Sequence, residues 1–463
     1  MQRRGTHVDL SDLDTEEQAA LEAEITARRA ARRASRRKRT YADRDDDDDL
    51  DDRVTIGTRI GEGHQNYQLM YDMLTGIRIA VGRVSAKMWR ELTPEDFTSA
   101  HKLVFDITGN ELTPGVRYDF KFKDYASWVF RHLREKFHID PADYMMSLTN
   151  KYILSELGSP GKSGSFFYYS RDFRFIIKTI HHSEHRFLRK VLREYYAHVC
   201  DNPNTLLSRF YGLHRIKLPH GRKTHFVVMG NVFPPNKDIH VTYDLKGSTF
   251  GRLTSEEEIA RNRHAVLKDQ NWINNKQKIV FGPEKRDLFL SQVYRDIELL
   301  KRLNIMDYSL LIGFHDVSRG NREGLRDDHL QMTHAGPTTG RRRSLAALGR
   351  RGSKADEVRT VLKHANAVQI KTSELPEVPS EERRYCIFYA DEGGIRSSDS
   401  RDQDAQALYF FGIIDILTPY NIIKRTEHAW KSITQDKTTI SSVEPRLYGE
   451  RFLEFMKAAV KSM

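Results

Sequence analysis

The stretch SELGSPGKSGSFFYYSRDFRFIIKTI, residues 155–180, carries the pattern that decides the expected fold. Gly158, Gly161 and Gly164 recur every third residue and lead into an aromatic strand, and a second strand carries Lys178 after a polar turn. Glycines let backbone N–H groups approach a phosphate, and a lysine on the next strand adds a positive charge. The stretch therefore predicts a phosphate-binding loop between two antiparallel strands.

Two other kinds of loop compete with this interpretation. A Walker A loop is excluded because its first glycine would fall at Glu156 and because a strand, not a helix, follows Gly161-Lys162-Ser163. A loop of this composition taken alone is more often a plain hairpin. Lys178, however, lies within an apolar strand and needs a counter-charge. This favours the N-terminal lobe of a kinase.

The segments that follow fit the same lobe and its partner. A helix predicted over SEHRFLRKVLREYYAHV is the expected source of a glutamate that pairs with the strand lysine, and Glu184 and Glu194 are both candidates. Asp307 stands at the mouth of a predicted strand, and Asp415 ends another. Each aspartate alone would suggest a turn cap, but together they predict the pair that positions a nucleophile and Mg²⁺ in phosphoryl transfer. The protein-kinase signatures H-R-D-x-x-x-x-N and D-F-G are absent.

Two segments of the chain differ sharply in composition from the rest. Residues 1–52 join a basic run to an acidic run and predict a disordered charged arm, and residues 318–384 predict a disordered insertion. A helix is expected from about Pro445 to Met463.

With 75 Lys+Arg against 64 Asp+Glu the net charge is +11, which indicates an anionic partner. The two cysteines have no neighbouring ligand pair, so they suggest a reducing compartment and no zinc site.

Three motifs in combination resemble those of the phosphatidylinositol phosphate kinases, and the type I branch, the phosphatidylinositol-4-phosphate 5-kinases, is the most similar. They are YDLKGSTFGR (243–252), MDYSLLIGFH (306–315) and FFGIIDIL (410–417). The resemblance implies an α+β, bilobal, kinase-like fold. Its N-lobe, residues 53–233, would hold an antiparallel sheet, and its C-lobe, residues 234–463, a smaller mixed one.

The resemblance also implies roles for individual residues. Asp307 would act in the catalytic loop, and Asp415 would hold Mg²⁺. Lys246 would contact the reacting phosphate, with Asp244 and Arg252 supporting its loop. ATP would be bound by the glycine-rich loop and the N-lobe charges, with Glu184 preferred as the partner of the lysine: Gly158, Gly161, Gly164, Lys178 and Glu184.

The segment after Asp415 is a candidate membrane contact. On a helix, Trp430 shares one face with other apolar side chains, while Lys424, Arg425 and Lys431 flank it, which suits the headgroup region of an anionic bilayer. Such a face more often packs against the protein itself. The resemblance reverses that preference, because it places the family's activation loop at about 416–444.

Within that loop the resemblance bears on the substrate. Type I members carry a glutamate at the position of Glu427, where type II members have a small residue. Glu427 therefore implies phosphatidylinositol 4-phosphate as substrate and its 5-hydroxyl as acceptor.

The resemblance thus implies an ATP-dependent enzyme peripheral to the inner face of the plasma membrane, on the cytoplasmic side. The family commonly forms dimers through the N-lobe, but the sequence leaves the oligomeric state of this chain open. Type II and type III phosphoinositide kinases are the nearest alternatives, and a protein kinase or a non-catalytic scaffold is further away. Nucleic acid is not an expected partner, because no nucleic-acid motif accompanies the arginine-rich runs. Regulators and a nuclear fraction stay open.

Overall fold

A computed structural model of the chain describes residues 58–59, 67–105, 119–149, 155–158, 165–170, 172–218, 223–233, 236–262, 264–325, 387–389, 393–420 and 444–462. The predicted arm, residues 326–384 of the predicted insertion and residues 421–443 of the predicted activation loop lie outside these ranges. Within them, no helix combines the length and the apolar character needed to cross a membrane.

The first sheet has eight strands, and every strand runs antiparallel to its neighbours in the order β1-β4-β5-β6-β8-β7-β3-β2. The strands are β1 Thr58–Arg59, β2 Ala100–Phe105, β3 Phe120–Tyr125, β4 Ser155–Gly158, β5 Phe166–Tyr169, β6 Phe175–Ile180, β7 Phe210–Lys217 and β8 Lys223–Gly230. Four helices accompany this sheet: α1 Tyr67–Ser85, α2 Ser127–Lys136, α3 Pro141–Thr149 and α4 His182–Asp201. α1 packs against β3 and β7, α2 packs against β7, and α4 packs against β8.

The strand that carries Lys178 lies inside this sheet. β6 is bonded to β5 on one side and to β8 on the other, with Lys178 opposite Phe167 and Val227. Five of its six residues are buried, and Lys178 is the partly exposed exception. Pairing with β5 and β8 on its two sides fixes the backbone that carries Lys178.

The second sheet is smaller and mixed, in the order β10-β9-β12-β14-β13. Its strands are β9 Val241–Leu245, β10 Val266–Leu267, β12 Ser309–Asp316, β13 Ile395–Ser398 and β14 Asp404–Ile414, and only β9 and β10 pair in parallel. Helices α5 Glu256–Arg261, α6 Asp269–Asn274, α7 Pro283–Arg302 and α8 Pro445–Ala459 complete this part. An antiparallel sheet beside a smaller mixed sheet confirms the predicted α+β, kinase-like fold class.

The last helix is shorter than the sequence indicated. α8 ends at Ala459, and Val460–Ser462 forms β15, which pairs in parallel with β11, Ile279–Phe281. Val460 sits opposite Ile279, and both are buried. The apolar pattern does continue past Ala459, but it serves a strand pair with a distant segment instead of a further helical turn.

A buried carboxylate ties the two parts of the fold together. Asp296 of α7 is fully buried, and its Oδ1 lies 2.6 Å from His198 Nε2 of α4. The same carboxylate accepts hydrogen bonds from Thr205 Oγ1 and from the backbone N–H of Leu206, both at 2.8 Å, in the segment that leads into β7. Because a buried carboxylate needs such donors, this network fixes α7 against the entrance to the first sheet.

Candidate active site

Three strand ends meet at one edge of the second sheet. Leu245, the last residue of β9, pairs with Leu310 of β12, and Ser309 pairs with Ile414, the last residue of β14. This register places the residues just beyond these ends at the same edge: Lys246, Asp307 and Asp415. Residues far apart in the chain are thereby gathered by the strand pairing itself.

Both aspartates adopt an unusual backbone conformation. Asp307 has a φ of 65° and Asp415 a φ of 60°, which lies in the left-handed region. Aspartate tolerates this region better than most residues with a side chain, yet it still costs free energy. Conformations of this kind concentrate at functional sites, where the surrounding structure maintains them. The geometry therefore marks these two positions within the sheet edge.

Lys246 and Asp307 form a close ion pair. Lys246 Nζ lies 2.7 Å from Asp307 Oδ1 and also donates to the Asp307 carbonyl oxygen at 2.9 Å. The lysine side chain is 15% exposed and the aspartate side chain 32% exposed. A fixed cation thus lies beside a carboxylate that solvent still reaches.

Lys178 and Asp415 form a second pair, which bridges the two sheets. Their Nζ and Oδ1 atoms are 3.1 Å apart, and Lys178 Nζ also lies 5.3 Å from the centre of the Phe167 ring. The prediction that Lys178 needs a counter-charge is confirmed, although the partner is Asp415. The Asp415 side chain is 47% exposed, so its oxygens face solvent at the junction of the sheets. Carboxylate oxygen is the ligand that Mg²⁺ prefers.

The glutamate expected beside Lys178 is engaged elsewhere in this structure. Glu184 Oε2 accepts a hydrogen bond from the backbone N–H of His181 at 2.6 Å, and the two residues form a capping box at the start of α4. Glu194, the other candidate, is exposed farther along α4. Among the described residues, neither glutamate forms an ion pair with Lys178.

The loop that carries Lys246 is organised by a residue that the sequence reasoning missed. Asp269 is fully buried, and its Oδ1 accepts hydrogen bonds from the backbone N–H groups of Lys246 at 2.9 Å and Gly247 at 2.7 Å. Gly247 has a φ of 66°, which favours glycine at this turn. An aspartate opening a short helix is typical of an ordinary helix start, so its role was invisible without the tertiary structure.

Arg252 closes the same loop. Its Nε lies 2.8 Å from Asp269 Oδ2, and its Nη2 lies 3.5 Å from Asp244 Oδ1 and also donates to the Asp244 carbonyl oxygen. Burial alone would lower the pKa of Arg252, but the carboxylates of Asp244 and Asp269 raise it above the usual value. Asp244 and Arg252 are expected to support this loop, and Arg252 contacts both the loop backbone and Asp269.

The remaining predicted residues divide into two groups. Gly158 ends β4 opposite Phe166, which places the start of the glycine-rich loop in the first sheet. The others lie outside the described residues, and their roles stay predictions: Gly161, Gly164, Lys424, Arg425, Glu427, Trp430 and Lys431.

The site offers fixed charged side chains for binding and orienting charged substrates. Two lysines and two carboxylates meet where the two sheets join. The carboxylate side chains are the more exposed, at 32% for Asp307 and 47% for Asp415. Phosphoryl transfer depends mainly on such positioning and electrostatic stabilisation. The arrangement therefore suits a reaction between two anionic substrates.

Comparison with known proteins agrees with this geometry. The family model described as Phosphatidylinositol-4-phosphate 5-Kinase matches residues 148–459. The chain is 54% identical over 418 residues to phosphatidylinositol 4-phosphate 5-kinase its3 of Schizosaccharomyces pombe, covering 89% of this chain and 56% of that protein. It is 39% identical over 445 residues to a probable phosphatidylinositol phosphate kinase of Dictyostelium discoideum, with 88% and 59% covered.

A plant relative shows the same extent of match. Phosphatidylinositol 4-phosphate 5-kinase 1 of Arabidopsis thaliana is 36% identical over 415 residues, which is 86% of this chain and 53% of that protein. The chain thus spans about half the length of the curated relatives it matches. The family model covers more than half of the chain and includes both ion pairs of the sheet edge. The chain belongs to the phosphatidylinositol-4-phosphate 5-kinase family.

Proposed function

We propose that the protein is an ATP-dependent lipid kinase, a 1-phosphatidylinositol-4-phosphate 5-kinase. It would phosphorylate the 5-hydroxyl of phosphatidylinositol 4-phosphate to give phosphatidylinositol 4,5-bisphosphate at a membrane surface. The observation that carries this proposal is the meeting of the Lys246–Asp307 and Lys178–Asp415 pairs at the junction of the sheets. A relative 54% identical is named for this activity, which supports the choice of substrate.

Each residue of the site has a separate role in the proposed reaction. The Asp307 carboxylate accepts the proton of the attacking hydroxyl and orients that hydroxyl toward the transferred phosphoryl group. Lys246, held 2.7 Å from Asp307, offsets negative charge that develops on the phosphoryl oxygens. Asp269 keeps the Lys246 loop in place through its backbone hydrogen bonds.

The opposite side of the site would receive ATP. Lys178 binds ATP phosphate oxygens from the first sheet, and Asp415 is the residue that would hold Mg²⁺. Bound Mg²⁺ supplies a charge that neutralises the phosphates. The exposed carboxylate of Asp415 at the strand end fits this ion, because its oxygens are accessible and are the hard ligands that Mg²⁺ prefers. Substrate binding would then loosen the Lys178–Asp415 contact, because both groups gain new partners.

The lipid substrate places the enzyme on a membrane. We infer a peripheral position on the cytoplasmic face of the plasma membrane, with residues 416–444 as the contact and Glu427 as the residue that selects the headgroup. The family resemblance supports a homodimer formed through the N-lobe as a further proposal. Phe250 and Leu253, about half exposed in the loop after Lys246, add apolar surface beside the site.

The decisive experiment compares lipid isomers. With ATP and Mg²⁺, turnover should be fastest on vesicles that contain phosphatidylinositol 4-phosphate. Asp307→Asn should lower that turnover at least about 100-fold, because a lost general base costs about 10²–10⁴-fold in rate. Vesicle binding should be unchanged in this variant.

A matched control and two contrary results complete the test. Asp404→Asn removes a carboxylate from a surface ion pair with Lys285 near the other end of β14, and it should retain turnover. Equal or faster turnover of the 5-phosphate isomer would reassign the protein to the type II enzymes. Full activity of Asp307→Asn would mean that the catalytic loop lies elsewhere.

A further inference from the structure

Three histidines converge at the start of α4, outside the site described above. His182 and His185 lie three residues apart on the first turns of this helix, so they share one face. His225 belongs to β8 and pairs with Ile180, which lies two residues before the first residue of the helix. The strand register therefore brings the third imidazole to the helix face that carries the other two.

The three rings are close enough to share one ligand. The ring centres of His185 and His225 are 4.3 Å apart, and those of His182 and His225 are 4.8 Å apart. One ring nitrogen from each residue can be chosen so that all three nitrogens lie within 4.8 Å of one another. In the part of the chain that the structure describes, this is the group of metal-ligating side chains that meets such a distance.

His185 shows that polar contacts in this cluster are incomplete. The residue is 2% exposed, and neither of its ring nitrogens has a hydrogen-bond partner within the described structure. Leaving a buried polar group unsatisfied costs about 1–3 kcal/mol, so nearly all such groups in proteins have partners. The ring of Tyr125 packs against His185 in a T-shaped arrangement, with the ring centres 4.6 Å apart. A ligand between the imidazoles would satisfy one of these nitrogens.

We propose that His182, His185 and His225 bind a divalent transition-metal ion of the Zn²⁺ class. Three protein nitrogens with one open position are a known coordination set for Zn²⁺, and imidazole suits this class of ion better than it suits Mg²⁺. His182 is exposed and His185 is buried, so the cluster has an entry path on one side and an enclosed end on the other. Water would take the fourth position.

The surroundings set the strength of this site. Burial of His185 and His225 disfavours the charged imidazolium, so both rings favour the neutral form that ligates metal. The cations Arg189, Arg215 and Lys223 lie close enough to act on these rings, and the same positive charges oppose a divalent ion. The site should therefore bind Zn²⁺ reversibly and release it to a strong chelator.

The ion would hold the start of α4 against the first sheet. It joins the first turn of α4 to β8, and Glu184 lies on the same turn between two of the ligands. This consequence is independent of the lipid substrate, because none of the three histidines belongs to the two ion pairs of the active site.

The test uses the tag-free full chain, stripped with a chelator and titrated with Co²⁺ and then Zn²⁺. Four-coordinate Co²⁺ gives a visible absorption band, and we expect one equivalent to bind and one equivalent of Zn²⁺ to abolish the band. His182→Gln, at an exposed position that leaves the core intact, should weaken binding at least tenfold, and His225→Gln should do the same. Mg²⁺ in excess should leave the Co²⁺ band unchanged.

The control is His101→Gln, which removes an exposed histidine from β2 and should bind Co²⁺ like the parent chain. Thermal unfolding provides a second readout, since a bound ion raises the midpoint of the parent chain but not that of His182→Gln. No stoichiometric Co²⁺ binding, or equal binding by His182→Gln, His225→Gln and the parent chain, would overturn the proposal.

Discussion

At the residue scale, the site depends on how each charge is held. Lys246 is fixed from two directions, because its side chain pairs with Asp307 and its backbone N–H donates to Asp269. Asp269 is fully buried and shares Arg252 with Asp244. A buried charge without its partner is costly, so the two carboxylates and the arginine stabilise the loop only as a set.

Asp269→Asn tests this set. The substitution removes the negative charge beside Arg252 and replaces one acceptor oxygen by a donor, so the free energy of unfolding should fall by about 3 kcal/mol. Urea unfolding followed by intrinsic fluorescence measures the change. Turnover should fall as well, because the Lys246 loop loses its anchor. Asp287→Asn, on an exposed turn of α7, should change stability by less than about 0.5 kcal/mol. A loss for Asp269→Asn no larger than that would contradict the role assigned to this carboxylate.

Individual residues also show where sequence reasoning reaches its limit. The sequence motifs predict Lys246, Asp307 and Asp415 as site residues, and the strand register brings all three to one edge. The partner of Lys178 was not identifiable, since it depends on where two sheets meet. Glu184 illustrates the reason: a glutamate at the third helical position satisfies a local backbone donor as readily as a distant lysine.

At the element scale, the hairpin β5–β6 determines where Lys178 stands. Its turn is pinned by Asp172, whose carboxylate accepts hydrogen bonds from Ser170 Oγ at 2.7 Å and from Arg174 Nε at 2.6 Å. Ser147 of α3 donates to the same carboxylate and thereby ties the turn to a helix. Burial would raise the pKa of Asp172, but these partners together lower it below the usual value.

Asp172→Asn should therefore destabilise the protein by about 1–3 kcal/mol at pH 7, because charge-assisted hydrogen bonds are lost. A carboxylate with a lowered folded pKa stabilises the protein above its unfolded pKa, about 3.9, and this contribution disappears as the pH falls through the folded value. The difference between parent and variant in urea unfolding should thus be constant from pH 7 to 5 and shrink below pH 4. A difference that grows as the pH falls would show that another group is responsible.

The elements that the sequence predicted well are those with a local cause. β5, β6 and α4 follow from aromatic alternation, apolar residues and a helical repeat, and all three appear close to where they were expected. The predicted end of α8 was wrong, because Val460 pairs with Ile279 of β11, and this contact joins segments that are distant in the chain. Local patterns indicate element type, whereas the termini of elements often depend on tertiary partners.

At the scale of the whole molecule, the fold determines which charged side chains are paired within the protein and which are available at its surface. The chain has 75 Lys+Arg against 64 Asp+Glu, and some of the cations in the described residues, such as Lys178, Lys246 and Arg252, are neutralised in ion pairs. Paired cations hold structure together and are less available to a membrane. We therefore expect attraction to an anionic bilayer to depend on the predicted activation loop, which contains Lys424, Arg425, Trp430 and Lys431.

Trp430→Ala tests whether this loop meets the bilayer. Burial of one large apolar side chain contributes about 1.5–3 kcal/mol, so the variant should bind vesicles containing phosphatidylinositol 4-phosphate at least about tenfold more weakly in sedimentation. Its turnover on a soluble short-chain substrate should be retained, because Trp430 does not belong to the ion pairs of the active site. Trp89→Ala is the matched control: Trp89 is 58% exposed and donates to Glu135 beside the first sheet, so vesicle binding should be unchanged. If Trp430→Ala sediments like the parent chain, the apolar face of the loop packs against the protein, and membrane attraction then depends on charge alone.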